Sequence, residues 1–461
     1  AEVFSTYLYT GNSGTNAINN GIDLAGEGGM VWFKCRNVTN NHYIVDTERG
    51  ASKVLYGLGT AAETTSANSV TSFNSNGFTL GADDTDGINK NTRSQVSWTF
   101  RKKSGFFDCV TYTGNSGTSQ TIAHGLNGPV GMILVKSYAG ASASQNWMVF
   151  HAGNGATKYQ VLNDTTAAAT ATSVWNDTAP TDTHFTVGSD SSVNNSNKTY
   201  VAYVFADNTA EDAEEQMIKC GSYTGDANVT QAIDLGWEPQ WVLIKDATST
   251  SNWYILDTMR GWTVNGAYGG DPTLFADSSN AESNQVAGEP TATGFNAIND
   301  GINLSGKTYI YVAIRAPMMV EPEAATDVFG ITTRNVANDS VAPEFRSTFP
   351  VDMALKKWDT TDPTLIVSRL NQGKSMQTST SSAEVNFSSA MFDYNNGWSS
   401  NATGANTTLH SWMWKRAKGY MDAVCYSGNA TSGRAVPHSL GVVPEMIWVK
   451  ARDSGGQSWR V

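Results

Sequence analysis

Three glutamates return in register along the 461-residue chain: Glu63 in "TAAE", Glu282 in "SNAE" and Glu384 in "SSAE". Recurring carboxylates invite a glycosidase reading, in which two carboxyl groups flank the scissile bond at a fixed separation. Here one acid recurs per copy, the second copy has "TAAA" ending at Ala169 instead, and no second acid recurs beside it. The pattern favours a turn or capping role over acid–base catalysis. Asp46 with Arg49, and Asp257 with Arg260, recur as Asp-Thr-x-Arg-Gly. A carboxylate–guanidinium pair at that spacing suits a brace at a strand end or a contact between copies.

Other chemistry is thinner. The stretch "ADDTDGINKN", 82–91, sets Asp84 and Asp86 before Gly87, but an EF-hand would need an acid at Ala82 and a glutamate at Arg93. A weaker, non-EF calcium loop is the alternative there, and "AINDGIN", 297–303, aligns with it while keeping one acid. The six histidines (His42, His124, His151, His184, His410, His438) are scattered. His124 in "IAHGL" and His438 in "VPHSL" are equivalent, and read as loop histidines bonded to backbone. No GxSxG, HExxH or phosphate-binding loop is present. Cys35, Cys109, Cys220 and Cys425 stand singly, without a CxxC, which speaks against thiolate metal sites or a disulfide framework and for folding in a reducing cytoplasm. The expectation is therefore no catalytic residue, no metal and no cofactor. Among the tryptophans, Trp32, Trp98, Trp241, Trp412 and Trp414 fall at alternating strand positions and are expected in cores. Trp147, Trp175, Trp253 and Trp398 sit nearer turns and are the better candidates for exposed, sugar-stacking platforms.

Composition bounds the partners. Lys and Arg number 30 against 42 Asp and Glu, a formal net charge of -12, so a surface built to coat nucleic acid is excluded. No apolar run approaches the roughly 20 residues of a bilayer-spanning helix, and no signal peptide opens the chain. Membrane insertion is not expected.

The elements that would position these residues repeat. Tyr9-Thr10-Gly11, Tyr112-Thr113-Gly114 and Tyr223-Thr224-Gly225 return as Tyr426-Ser427-Gly428. Each is followed by an apolar run ending in lysine, "MVWFK", "MILVK", "WVLIK" and "MIWVK", at Lys34, Lys136, Lys245 and Lys450. A divergent copy keeps "MALKK" to Lys357. Units close on "QVSWTFR", "YVAYVFA", "YIYVAIR" and "LHSWMWK", whose period of two marks half-buried strands. The reading is an all-β protein of tandem units at 1–103, 104–208, 209–318 and 319–416, with the first strands of a partial fifth at 417–461. Both chain ends fall near or inside a repeat, as in a window on a longer polypeptide. Acidic residues 208–217 (one helical turn at most) and proline-containing residues 316–327 are linkers. The short basic joins 101–105 and 415–419 predict a stiff rod. Long phrases recur pairwise: units one and three share "HYIVDTERG" and "WYILDTMRG", while unit two and the partial unit share "FFDCVTYTGNSGTSQTIAHGL" and "YMDAVCYSGNATSGRAVPHSL".

Those phrases, with "WVLIKDATSTSNWYILDTMRG" and "VDMALKKW", resemble repeat units of marine bacteriophage virion and tail-fibre proteins along essentially the whole chain. The resemblance implies β-sandwiches of concanavalin A-like or jelly-roll type. It implies a non-enzymatic structural protein of the virion, a tail fibre or comparable appendage for host-surface attachment. A capsid-attached fibre or decoration protein, and a bacterial carbohydrate-binding adhesin, are the alternatives; an enzyme whose catalytic domain lies outside these residues is a third. The expected partners are further copies of the chain, other virion proteins and host-surface glycans, and the expected location is the virion, made in the host cytoplasm and extracellular when functional.

Overall fold

A computed structural model describes residues 3–83, 87–208, 215–228, 230–264, 270–298, 301–317, 319–335, 342–359, 362–400 and 408–461. Strand dominates it, in several separate antiparallel sheets. The calcium-loop acids Asp84 and Asp86, and most of the acidic linker at 208–217, lie outside the described residues.

Unit one shows how sequence becomes sheet. Its strands are β1 (Phe4–Thr10), β2 (Asn16–Asn19), β3 (Gly29–Cys35), β4 (His42–Asp46), β5 (Lys53–Tyr56), β6 (Thr64–Thr65), β7 (Val70–Asn74), β8 (Gly77–Leu80) and β9 (Ser94–Arg101). A large sheet runs β1-β9-β3-β4-β5-β6 and a small one β2-β8-β7. The same large-sheet order recurs three more times. It starts at Phe107–Thr113, Ile218–Thr224 and Phe329–Asn335, and the last strand of each unit again lies beside its first. In unit two the small sheet keeps two strands, and a helical turn at Thr172–Trp175 occupies the sequence between them.

The Tyr-Thr-Gly phrase has a local cause. The tyrosine is the last residue but one of the first strand and donates its hydroxyl to a carbonyl that precedes the last strand: Tyr9 to Ile88 at 2.6 Å, Tyr112 to Val193 at 2.8 Å, Tyr223 to Ile302 at 2.6 Å. The glycine then passes against that same segment. A Cβ on Gly11, Gly114 or Gly225 would lie 2.2–2.4 Å from the carbonyl oxygen of Lys90, Asn195 or Leu304, so no other residue fits.

Each large sheet of units one to three is covered on both faces. In unit one, Val31, Phe33, Val45 and Val54 pack on Ile18, Val70, Phe78 and Leu80 of the small sheet, a two-layer core. The opposite face, with Met30, Trp32, Ile44, Trp98 and Phe100, belongs to a second core shared with units two and three. Burial on both faces explains why β3 reads as a continuous apolar run rather than an alternation. Phe100 marks the meeting point: its ring lies 5.5 Å from Phe107 and Phe205 of unit two and 5.9 Å from Trp241 of unit three.

Units one to three are thus not strung end to end as the short joins suggested. Unit two contacts unit one, unit three contacts unit two, and unit one contacts unit three, closing a three-membered ring around the shared core. A short connection fixes only how near two units lie, and the apolar second face of each sheet decides their arrangement. Unit four packs beside this ring, through Val264 donating to the Leu370 carbonyl at 2.8 Å and Arg416 paired with Glu238 at 2.9 Å.

Candidate functional site

The recurring polar residues converge on the seams between units. At the seam of units two and one, Lys136 Nζ donates to the Thr60 carbonyl at 3.0 Å and Trp147 Nε1 to the Tyr56 carbonyl at 2.9 Å; the Glu63 amide donates back to the Tyr138 carbonyl at 2.9 Å. Units three and two repeat the set with Lys245 to Thr165 at 3.2 Å, Trp253 to Val161 at 3.0 Å, and Ala168 to Ala247 at 2.9 Å. Units one and three close the ring with Lys34 to Ser279 at 3.0 Å, His42 Nε2 to Phe275 at 2.9 Å, and Glu282 to Arg36 at 2.7 Å. Three seams therefore use one pattern, offset each time by one unit. The pattern aligns Glu63 and Glu282 with Ala168, one residue before the Ala169 expected from sequence.

The lysines that mark strand ends are the centre of each seam. Each ammonium also bonds carbonyls of its own unit, as Lys34 does to Asn40 at 2.9 Å and Lys136 to Gln145 at 2.8 Å. All three residues are fully buried, and burial pulls each down to about 8 from the ordinary lysine value.

The Asp-Thr-x-Arg-Gly pairs are both brace and contact. Asp46 accepts from the Arg49 amide at 2.9 Å and its Nε at 2.7 Å, and Asp257 accepts likewise from Arg260 at 2.8 and 2.5 Å. Each arginine extends to the glutamate of its own unit, Arg49 to Glu63 at 2.9 Å and Arg260 to Glu282 at 3.1 Å. An aromatic donor from the neighbouring unit completes each cluster: the Tyr203 hydroxyl on Asp46 at 2.6 Å, and Trp98 Nε1 on Asp257 at 3.1 Å. Glu282 also takes Arg36 of unit one at 2.8 Å. Burial raises the Glu282 carboxyl, but Arg36 and Arg260 more than offset that and hold it below the usual range. Where unit two lacks such an aspartate, buried His151 stands in, donating from Nε2 to the Tyr311 carbonyl of unit three at 3.0 Å and accepting the Gly153 amide on Nδ1 at 3.0 Å.

The remaining candidates fall apart. His124 accepts the Leu126 amide at 3.3 Å, and His438 the Leu440 amide at 3.2 Å, the same turn in two units. The tryptophan assignment is reversed in part. Trp147, Trp175, Trp253 and Trp398, expected as exposed platforms, are at most 1% exposed, while Trp412 and Trp414, expected in a core, are only half-buried. Trp147 and Trp253 are covered by another unit, while Trp175 and Trp398 pack into the cores of their own units. Sequence reading missed the seam roles of Trp147, Trp253, Lys34 and Arg36. The recurring "SQNW" and "TSNW" before two of the indoles were the available signal. Among the described residues, no group of three or more His, Cys, Asp or Glu is placed to hold a metal ion, and no helix is long and apolar enough to cross a membrane. All four cysteines are free thiols.

Fold and seams together define an all-β protein of repeated antiparallel units, held to one another by a recurrent set of buried polar contacts. The chain belongs to the DUF7483 family, described as a domain of unknown function, whose model matches residues 1–317. The matched span holds the three units that close the ring. Comparison with curated proteins and with solved structures gives no match.

Proposed function

We propose that the chain is a non-enzymatic structural protein of a bacteriophage virion, a tail fibre or comparable appendage made of concanavalin A-like β-sandwich units. The supporting observation is the fate of the residues that recur. Glu63, Glu282, Asp46, Asp257, Arg49 and Arg260 are engaged in ion pairs within their units, and Glu282 in a further one across a seam. Side chains so engaged stabilise an assembly, and these four carboxylates are each held by an arginine rather than set against one another for acid–base work. The likeness of the repeat phrases to phage virion repeats supplies the location. In this reading the length of the appendage is built from rings rather than from single units, and attachment to host-surface glycans draws on many weak contacts along it.

Immunogold electron microscopy of particles made from the encoding genome tests this. Label on a tail or capsid appendage is the expected result; label confined to the bacterial cell surface would replace the virion by an adhesin. Release of reducing sugar from host polysaccharide by the purified chain would overturn the non-enzymatic part.

A further inference from the structure

Two of the three seam contacts, the indole and the amide, occur a fourth time outside the ring. Between unit four and residues 417–461, the Glu384 amide donates to the Arg452 carbonyl at 2.8 Å and Trp459 Nε1 to the Gln377 carbonyl at 3.0 Å; the Glu384 carboxylate holds Arg452 at 2.8 Å. Gln377 sits in unit four where Tyr56 sits in unit one, by the pairing of Leu365 with Gln377 and of Tyr43 with Tyr56. This is the seam of units two and one, rebuilt by units five and four. The sequence agrees independently, because unit five carries the opening phrase of unit two and follows the same short basic join.

A ring needs a third member, and the described residues of unit four show its place open. Strand pairing puts Trp412 where Trp98 stands and Leu355 where Trp32 stands. Trp98 and Trp32 are at most 1% exposed, whereas Trp412, Trp414, Leu355 and Met353 are half-buried and Ile331 on the same face is 60% exposed.

We infer that units four and five are the beginning of a second ring, and that the open face of unit four takes a third β-sandwich unit of this family, standing to them as unit three stands to units one and two. Charge narrows the occupant further. Unit one meets the Glu282 loop of unit three with Arg36, but the equivalent place in unit four, two residues beyond Lys357, is Asp359. An acid opposite an acid is repulsive, so the fitting unit lacks the Glu282 carboxylate, as unit two does at Ala168. The same repulsion disfavours three copies of unit four closing on one another, since Asp359 would face Glu384. This inference stands independently of the virion reading.

The test supplies the missing unit from the chain itself. Trp459 matches Trp147, so Val461 matches Val149, and fusing residues 150–318 after Val461 completes unit five and adds a copy of unit three. Hydrogen exchange at 408–414 is expected to slow by about tenfold or more on fusion, with Glu282→Gln in the appended copy slowing it further. Exchange at 94–101 serves as the internal standard for a buried strand. Unchanged exchange at 408–414 in both fusions overturns the inference. In the unfused chain, Trp412→Lys should leave the melting temperature unchanged, whereas Trp98→Lys should open the first ring. Loss of stability with Trp412→Lys would mean the face is already packed, and a stable dimer of the unfused chain protecting 408–414 would make a second copy the occupant; either result also overturns it.

Discussion

At the scale of single residues, two buried histidines make the ring sensitive to acid. His42 accepts Trp32 Nε1 on Nδ1 at 2.9 Å and donates from Nε2 across the seam to Phe275; His151 is bonded in the same sense between Gly153 and Tyr311. Both Nδ1 atoms already face an N–H, so protonation sets donor against donor. Burial is the main cause that pulls His42 down to about 3 and His151 to about 4. Unfolded histidine binds its proton near 6.5, so between that value and about 4 the unfolded chain holds more protons than the folded one. The stabilisation is complete above pH 6.5 and is lost as pH falls towards 4, by about 3 kcal/mol for each histidine. Urea midpoints measured from pH 7 to 4 should fall accordingly. Replacing His151 by Gln, which keeps a neutral donor and acceptor, should flatten its share of the slope.

At the scale of elements, the strand ends form the seams, and each seam is a small charged network in a buried place. Glu282 lies between Arg36 of unit one and Arg260 of its own unit. Removing it leaves a fully buried Arg260 with Asp257 as its one carboxylate and takes one of two carboxylates from Arg36, so Glu282→Ala should cost about 3 kcal/mol in chemical denaturation. Glu282→Gln should cost less, because the amide oxygen still accepts. The double variant Arg36→Ala/Glu282→Ala should fall short of the sum of the singles, which a purely local role for Glu282 would not produce. Part of this scale was legible in sequence: the recurring strands and the recurrence of Glu63 and Glu282. The period of two in the closing strands did not mean half-burial, since Ser94–Arg101, Lys198–Ala206 and Thr308–Arg315 are covered on both faces and only Thr408–Trp414 alternates. What Trp147, Trp253 and Lys34 touch was not legible. An indole beside a turn carries no mark of the unit that will cover it, and the partners of Lys34 and Trp98 lie 245 and 159 residues away. A continuous apolar strand such as β3 did announce burial on both faces, but not which sheet supplies the second cover.

At the scale of the molecule, the separate cores of units one and three flank a shared core into which that of unit two merges, so units one to three should unfold together. Calorimetry should give a single large transition for the ring and a separate, smaller one for unit four, whose own core of Phe345, Val351, Phe392 and Trp398 stands apart. Phe100→Ala removes a ring that touches aromatic residues of all three units, and should lower the large transition by roughly 3–5 kcal/mol while leaving the smaller one in place.

Closure of the ring also sets an order of events at the ribosome. Arg36 is made early and its partner Glu282 follows 246 residues later, a delay of roughly 10–50 s at ordinary synthesis rates of about 5–20 residues per second. Throughout that interval Trp32, Trp98 and Phe100 of the first unit have no third sheet to cover them. Nascent chains crowded on one message would meet one another through these faces before each could close on itself. Slowing translation beyond residue 100 should therefore lower the yield of soluble protein, and a chaperone that shields aromatic sheet faces should restore it.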